Sequence, residues 1–309
     1  MDEVTTIPPG WSQNPSEQRR RLILAAMALV GFLVAGYLAL YQLGVFTRVW
    51  EPFFGQGSYK ILDSRLSRAL PVPDAALGAV VYLAEALLSV SGGRMRWRTH
   101  PFVVLGNGMI AIALASTGII LLIVQPLAYH NYCTLCMLSA FISINLFGPV
   151  MEELLATLQY LVRRYTQRVV STEVPITRTT AAIRREKRCA TPVNLRFVAG
   201  AAIGLWLMAA PGILDYAGDT RAADRLVGPV IFALSIAAAW PATRGLRGLN
   251  VIAGCWLMIS PIVFIAPDMA MATSIGCGAI LIALSVFIRP PGVETGEGWH
   301  GILSGESDR

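Results

Sequence analysis

Long apolar runs alternate with short polar stretches along most of the chain. Eight runs stand out, at 22–43, 74–92, 102–127, 134–158, 197–215, 226–242, 249–266 and 272–288. A helix needs about 20 apolar residues to cross a hydrocarbon core of roughly 30 Å, and these runs are near that length. The pattern predicts an all-α, polytopic integral membrane protein with about eight transmembrane helices. The first run follows "SEQRRRL" and is longer than the core of a secretory signal. No small-residue cleavage site follows it, so it reads as an uncleaved first helix.

The polar stretches divide the runs into two groups of four. Residues 1–158 form one domain, with a long outer loop at 44–73. A basic linker, 159–196, separates it from 197–288, and 289–309 form a tail. The second group is a duplication. "GLWLMAAP" at 204–211 returns as "GCWLMISP" at 254–261, and "GPVIFALS" at 228–235 returns as "GAILIALS" at 278–285. Both pairs are offset by 50 positions, which makes a tandem of two-helix units. Each unit contains an even number of spans, so the repeats run in parallel, and an inverted-repeat transporter argument does not apply.

Composition agrees with a membrane chain. It is 55% apolar and only 14% charged, against about a quarter charged in soluble proteins. The net charge of +6 therefore reports topology rather than nucleic-acid binding. With the N-terminus inside, the inner segments hold 19 of the 25 Lys and Arg. Arg48, Lys60, Arg65, Arg68, Arg221 and Arg225 are left outside. That bias predicts cytoplasmic termini at both ends, and places Cys133 and Cys136 at the outer end of the fourth span. In a bacterial cell membrane that face is oxidising.

The chemistry concentrates in "YHNYCTLCMLSAF", residues 129–141. A C-x-x-C pair serves zinc, iron–sulfur or dithiol chemistry, or is two inert buried thiols. Zinc needs four ligands, and only His130 is near, so no metal site is expected. A pair in the first turn of a helix feels the positive end of its dipole, which favours thiolate and disulfide exchange. The polar loop at 58–82 must line a pocket or the surface, and Pro73 suits a helix start.

These residues resemble the vitamin K epoxide reductase family over about residues 20 to 155. Ser64, Pro73, Gly78 and Tyr82 stand where that family has its Ser and its Pro…Gly…Tyr, and Cys133-Thr-Leu-Cys136 stands at its redox pair. The resemblance implies four helices around a membrane quinone, ubiquinone or menaquinone, as electron acceptor. It implies Cys136 as the deeper thiol facing the quinone. Cys133 would be the exposed thiol that meets a thioredoxin-like partner outside the cell membrane. Asp74 matches a position whose side chain contacts a quinone carbonyl, and Ala140 one where some members carry a quinone-contacting Tyr. The family's two loop cysteines are missing: Ser58 takes the place of one, and no cysteine precedes Tyr132. The second half resembles the SPW-repeat membrane module, its Ser-Pro-Trp present only as "AAPG" and "SPIV".

Other polar residues have plainer readings. His130 reads as a loop histidine or a modulator of Cys133. Glu85 lies inside a span and is expected to pair with an Arg of "RMRWR". Glu152 and Glu153 read as solvated, Trp206 and Trp256 as packing residues, and Cys255 and Cys277 as small apolar residues. The expected function is a quinone-linked membrane thiol oxidoreductase acting through Cys133 and Cys136. The rival is a non-catalytic membrane scaffold, binding quinone or lipid, that has lost the loop relay.

Overall fold

The computed structural model describes residues 7–8, 11, 13–64, 67, 71–169 and 195–286. Most of the linker with Cys189, and the tail, lie outside the described residues. No strand occurs among the described residues. The helices are α1 (Gln18–Gln42), α2 (Gly57–Leu62), α3 (Asp74–Val90), α4 (Arg96–Thr99), α5 (Pro101–Ala128) and α6 (Thr134–Val169). They continue with α7 (Leu195–Ile213), α8 (Asp219–Ala237), α9 (Arg247–Val263) and α10 (Asp268–Val286).

Each of the eight apolar runs is a helix. Five of them, α1, α5, α6, α7 and α10, are long and apolar enough by composition alone to cross a membrane. The other three fall short for identifiable reasons. Helices α3 and α9 have 17 residues, about 25 Å at 1.5 Å per residue. Helix α8 carries Asp219, Arg221, Asp224 and Arg225 in its first two turns. Helix α6 runs on to Val169, well past the end of the apolar run at 158.

Helices α1, α3, α5 and α6 make the first bundle, with α1 on α3 and α5 on α6 as its tightest pairs. Small residues set the spacing. Tyr82 fills the notch left by Gly31, where a Cβ would come within 2.5 Å of its ring. Leu154 fills the notch at Gly108, where a Cβ would lie 2.8 Å from its side chain. Leu24, Ala28, Ala35, Ala79, Tyr82, Ala111, Leu146 and Val150 form the core.

One end of this bundle is tied by buried charge. Arg96, wholly buried, donates from Nε to Glu153 at 2.6 Å and from Nη2 at 2.5 Å. It also donates to the carbonyls of Leu88, Ser89 and Ser91. Arg20 pairs with Glu152 at 2.5 Å. Arg21 donates to the carbonyls of Ser89, Val90, Ser91 and Gly93, closing the open end of α3. Glu152 and Glu153, read as solvated, are therefore buried, at 1% and 2% exposure. They face inward because α6 continues as a helix beneath the α3–α4 turn, which brings both arginines to it. Glu85 is corrected too: it is wholly buried, and Arg96 acts on it through charge alone, with no hydrogen bond or ion pair between them. Arg96 is already committed to Glu153 and the α3 carbonyls.

The second module obeys its repeat. Leu207, Ile231, Leu257 and Leu281 form its buried centre, and they are two pairs of repeat-mates 50 positions apart. Gly204 faces Gly228, and Gly254 faces Gly278, so closely that an added Cβ would reach backbone at 2.6–3.0 Å. Asp215 and Ile265, also repeat-mates, both take positive φ, 50° and 51°, at the ends of α7 and α9. Across the repeat axis Ser274 donates to Asp224, its own repeat-mate, which also receives the Tyr216 hydroxyl at 2.5 Å. Trp206 and Trp256 are 41% and 44% exposed, so they face outward rather than pack inside. Cys255 is exposed and Cys277 half-buried.

The two modules meet along α8. Phe232, Ala233, Ile236 and Ala237 share an apolar cluster with Leu122 of α5 and Ala140 and Ile144 of α6. Trp240 lies over Gly148, where any Cβ would meet its ring at 2.0 Å. At the opposite end of α8, Arg225 donates to the His130 carbonyl at 3.4 Å.

Candidate functional site

Helix α5 stops at Ala128, two residues after Pro126, and His130 turns the chain with φ 52°. The short turn then delivers Cys133 to the start of α6. Cys133 and Cys136 are joined as a disulfide, with Cα atoms 5.2 Å apart. The Cys136 N–H donates to Cys133 Sγ at 3.2 Å, and the Cys133 N–H donates to Gln125 Oε1 at 3.0 Å. Gln125 is 2% exposed inside α5, so this polar side chain has one evident purpose: it anchors the turn.

The loop between α1 and α3 folds over this turn. Glu51 lies at its centre and accepts from the Thr134 N–H at 3.0 Å and from the Thr134 hydroxyl. It also accepts from the Ser58 hydroxyl and from the N–H groups of Phe54, at 3.1 Å, and Phe53, at 3.3 Å. Partial burial pushes the Glu51 carboxyl up, but the hydrogen bonds from Ser58, Thr134 and Phe54 outweigh it and hold the group below the usual glutamate range. Glu51 is thus a carboxylate at the N-terminus of α6, where the helix dipole favours negative charge. Tyr132, next to Cys133, is buried, and burial pushes its phenol up, against the nearby Arg225 charge.

Cys133 is completely buried. It shares a cluster with Leu38, Val49, Ile61, Leu62 and Leu135, and the half-buried Cys136 packs against the same cluster. The sequence expectation of an exposed Cys133 is therefore reversed. The loop between α1 and α3, fastened by Glu51, covers it.

The remaining predicted residues are held in different ways. Asp74 opens α3, and its Oδ1 accepts from Gln42 at 2.6 Å, from Ser67 at 2.7 Å and from the Ala75 N–H at 2.8 Å. Ser64 accepts the Ser67 N–H at 3.3 Å and shapes the approach to Asp74. Tyr82 donates to the Ser139 carbonyl at 2.6 Å and so ties α3 to α6. Gly78 faces Ala35 at ordinary contact distance. Ala140 is buried between Gly118 of α5 and the α8 cluster. His130 is exposed, with its ring nitrogen 3.2 Å from the Pro126 carbonyl. Among the described residues no group of three metal-ligating side chains exists.

Two features beside Cys136 have the chemistry that a quinone site would need. Val34, Tyr37 and Leu38 of α1 and Ala75 of α3 line the cluster that Cys136 joins, an apolar wall suited to a ring and its tail. The Gln42–Ser67–Asp74 group supplies the polar end. Asp74 accepts hydrogen bonds there, and Gln42 and Ser67 both donate to it, so a ring carbonyl would have to take over one of those donors from Asp74. Glu51, Gln42, Ser67 and Gln125 escape a motif reading. Only Gln125 and Gln42, polar residues within apolar runs, carried a signal that could have found them.

Residues 22–150 match the sequence model described as the vitamin K epoxide reductase family, and residues 195–288 match the SPW repeat domain. Comparison with curated proteins and with solved structures gives no match.

Proposed function

We propose that this chain, whose first domain belongs to the vitamin K epoxide reductase family and whose second is an SPW repeat domain, couples thiol oxidation to a membrane quinone. The family supports membrane thiol–disulfide oxidoreductase chemistry. The carrying observation is the disulfide in the first turn of α6, beside the apolar wall of α1 and α3. The basic bias of the sequence favours both termini in the cytoplasm and the disulfide on the outer face of a bacterial-type cell membrane. The donor would then be an exported dithiol protein of the thioredoxin type.

The reductive half is thiol–disulfide exchange. A donor thiolate attacks one sulfur of the Cys133–Cys136 bond, the other leaves as thiolate, and a mixed disulfide forms. The donor's second thiolate displaces the bound sulfur, so the donor leaves oxidised and the pair is a dithiol. The N-terminal end of α6 and the Cys136 N–H favour the thiolate released at Cys133. Apolar side chains around Cys136 exclude water from the second half. A bound quinone supplies a two-electron, two-proton acceptor when the pair reforms its disulfide. Gln42 and Ser67 would orient it. The SPW module buttresses α5 and α6 behind Ala140.

Purified protein in lipid nanodiscs should consume dithiol only when quinone is present, and a Cys136→Ala variant should lose that turnover. Equal dithiol loss with and without quinone defeats the proposal. Cysteine labelling from each side of sealed vesicles checks the orientation: the reduced pair in Gly57→Ala, where α2 is forced off the Tyr132 carbonyl, should label only from outside.

A further inference from the structure

At one end of the second module, α7, α8, α9 and α10 enclose a small cleft. Its polar lining is Arg196, Ser235, Arg247, Asn250 and Ser285, so each of the four helices contributes at least one polar side chain. No acid is among the described residues that line it. Its volume is about 20 Å³, room for one water or one phosphate oxygen. The duplication builds the cleft. Ser235 and Ser285 are repeat-mates, and so are Gly200 and Asn250. Gly200 lies so near Ser235 that a Cβ would meet its hydroxyl at 2.5 Å, whereas the second repeat has an amide at the matching position. Asn250 is 4% exposed, and its Nδ2 donates to Ser235 Oγ at 3.2 Å. Its Oδ1 is buried with no hydrogen-bond partner among the described residues. A buried amide satisfied on one side only marks a place for a further polar group.

The charge at this cleft is all of one sign. Arg196 is the second residue of α7 and Arg247 the first of α9, and no side chain caps the start of α9. Two guanidiniums therefore stand at two helix N-termini, whose dipoles also favour an anion. We propose that this cleft binds a phosphate group. The guanidiniums take its outer oxygens, a geometry that suits the planar fork of arginine. One oxygen enters between Ser235, Asn250 and Ser285. A half-turn of the Asn250 amide keeps its bond to Ser235, with the hydroxyl now donating to Oδ1, and turns Nδ2 to the phosphate as a donor. The bound group ties all four helices together at one end. Two cations without an acid favour a phosphate whose headgroup carries no cation of its own. The basic bias of the sequence favours this end in the cytoplasmic leaflet, where acidic phospholipids supply such a group. Free phosphate is the other source. The site does not depend on the redox reaction proposed for the first domain.

The test uses the whole chain, stripped of lipid in detergent. Phosphatidylglycerol and phosphatidylcholine are titrated in turn, and bound lipid is counted by native mass spectrometry. Inorganic phosphate is compared with chloride at equal ionic strength by thermal shift. Preferential retention of phosphatidylglycerol assigns a lipid headgroup, and stabilisation by inorganic phosphate assigns the free anion. Arg247→Gln should weaken whichever ligand binds by about fivefold, the worth of one basic contact. Its side chain is half-buried, so the variant should fold, and Arg247→Lys should recover part of the loss. Asn250→Leu gives a second reading from inside the cleft and should weaken the same ligand. Arg98→Gln, on an exposed arginine of α4, should leave binding unchanged. Preference for neither ligand overturns the proposal. So does unchanged affinity in Arg247→Gln, or an equal loss in Arg98→Gln, which would mean that a basic surface alone attracts the ligand.

Discussion

Replacing Glu153 with Ala should be among the most damaging single changes in the first bundle. Arg96 is wholly buried and Glu153 is 2% exposed. The substitution strips two charge-assisted bonds from the guanidinium and one acceptor from the Ser16 hydroxyl. Three carbonyls of α3 and its following turn still bind Arg96, so the residue stays inside with an uncompensated charge. Breaking one side of such a pair costs about 3–5 kcal/mol. For a domain of this size that lowers Tm by on the order of 10 °C. Thermal unfolding in detergent, followed by intrinsic fluorescence, measures it. The paired change Arg96→Met with Glu153→Leu removes both charges and should recover most of the loss, because an apolar pair of similar volume carries no stranded charge. A Glu153→Ala variant within about 1 kcal/mol of the parent refutes the reasoning, and so does a double variant less stable than the single one.

Gly57→Ala should force α2 off the Tyr132 carbonyl and raise the rate at which reagents reach Cys133, measured by its alkylation after reduction. Glu51 has its carboxyl depressed below the ordinary 4.5, so its stabilising bonds are fully present at neutral pH and are lost as pH falls through the folded value. Reduction of the disulfide by a phosphine, corrected with a model disulfide, should therefore stay flat at and above neutral pH and accelerate only in acid, once pH has fallen below the ordinary glutamate value of 4.5 toward the lower folded one. Gly148→Val should collide with Trp240 and loosen the contact between the modules, at a cost of about 1–3 kcal/mol in thermal unfolding. Asp224→Ala leaves the buried Tyr216 hydroxyl and Ser274 without their acceptor and should destabilise the repeat module by about 1–3 kcal/mol. Asp224→Asn should cost less, since it keeps one acceptor oxygen.

What the chain reveals before folding depends on whether the relevant partner is near in sequence. The apolar runs announce their helices because each is its own signal. The 50-residue repeat even predicts which residues meet at the centre of the second module, as Leu207, Ile231, Leu257 and Leu281 do. The redox pair is legible because both cysteines lie within four positions. Its seal is not, since Glu51 and Thr134 are 83 positions apart. A lone acid before a proline in "WEPFFG" looks like any loop residue. Glu152 and Glu153 mislead for the same reason: Arg20 is 132 positions from Glu152, and Ser16 is 137 from Glu153. In a mostly apolar bundle the few charged residues find one another across the fold, and only the fold shows which.

The central claim is that two electrons pass from the Cys133–Cys136 dithiol to a quinone. A single turnover tests it most directly. Protein reduced in nanodiscs and freed of reductant is mixed with a membrane quinone without oxygen, while quinol absorbance and remaining thiols are followed together. The account predicts one quinol formed for each dithiol lost, with none in Cys136→Ala. Thiol loss without quinol, or quinol formed equally by Cys136→Ala, would contradict it.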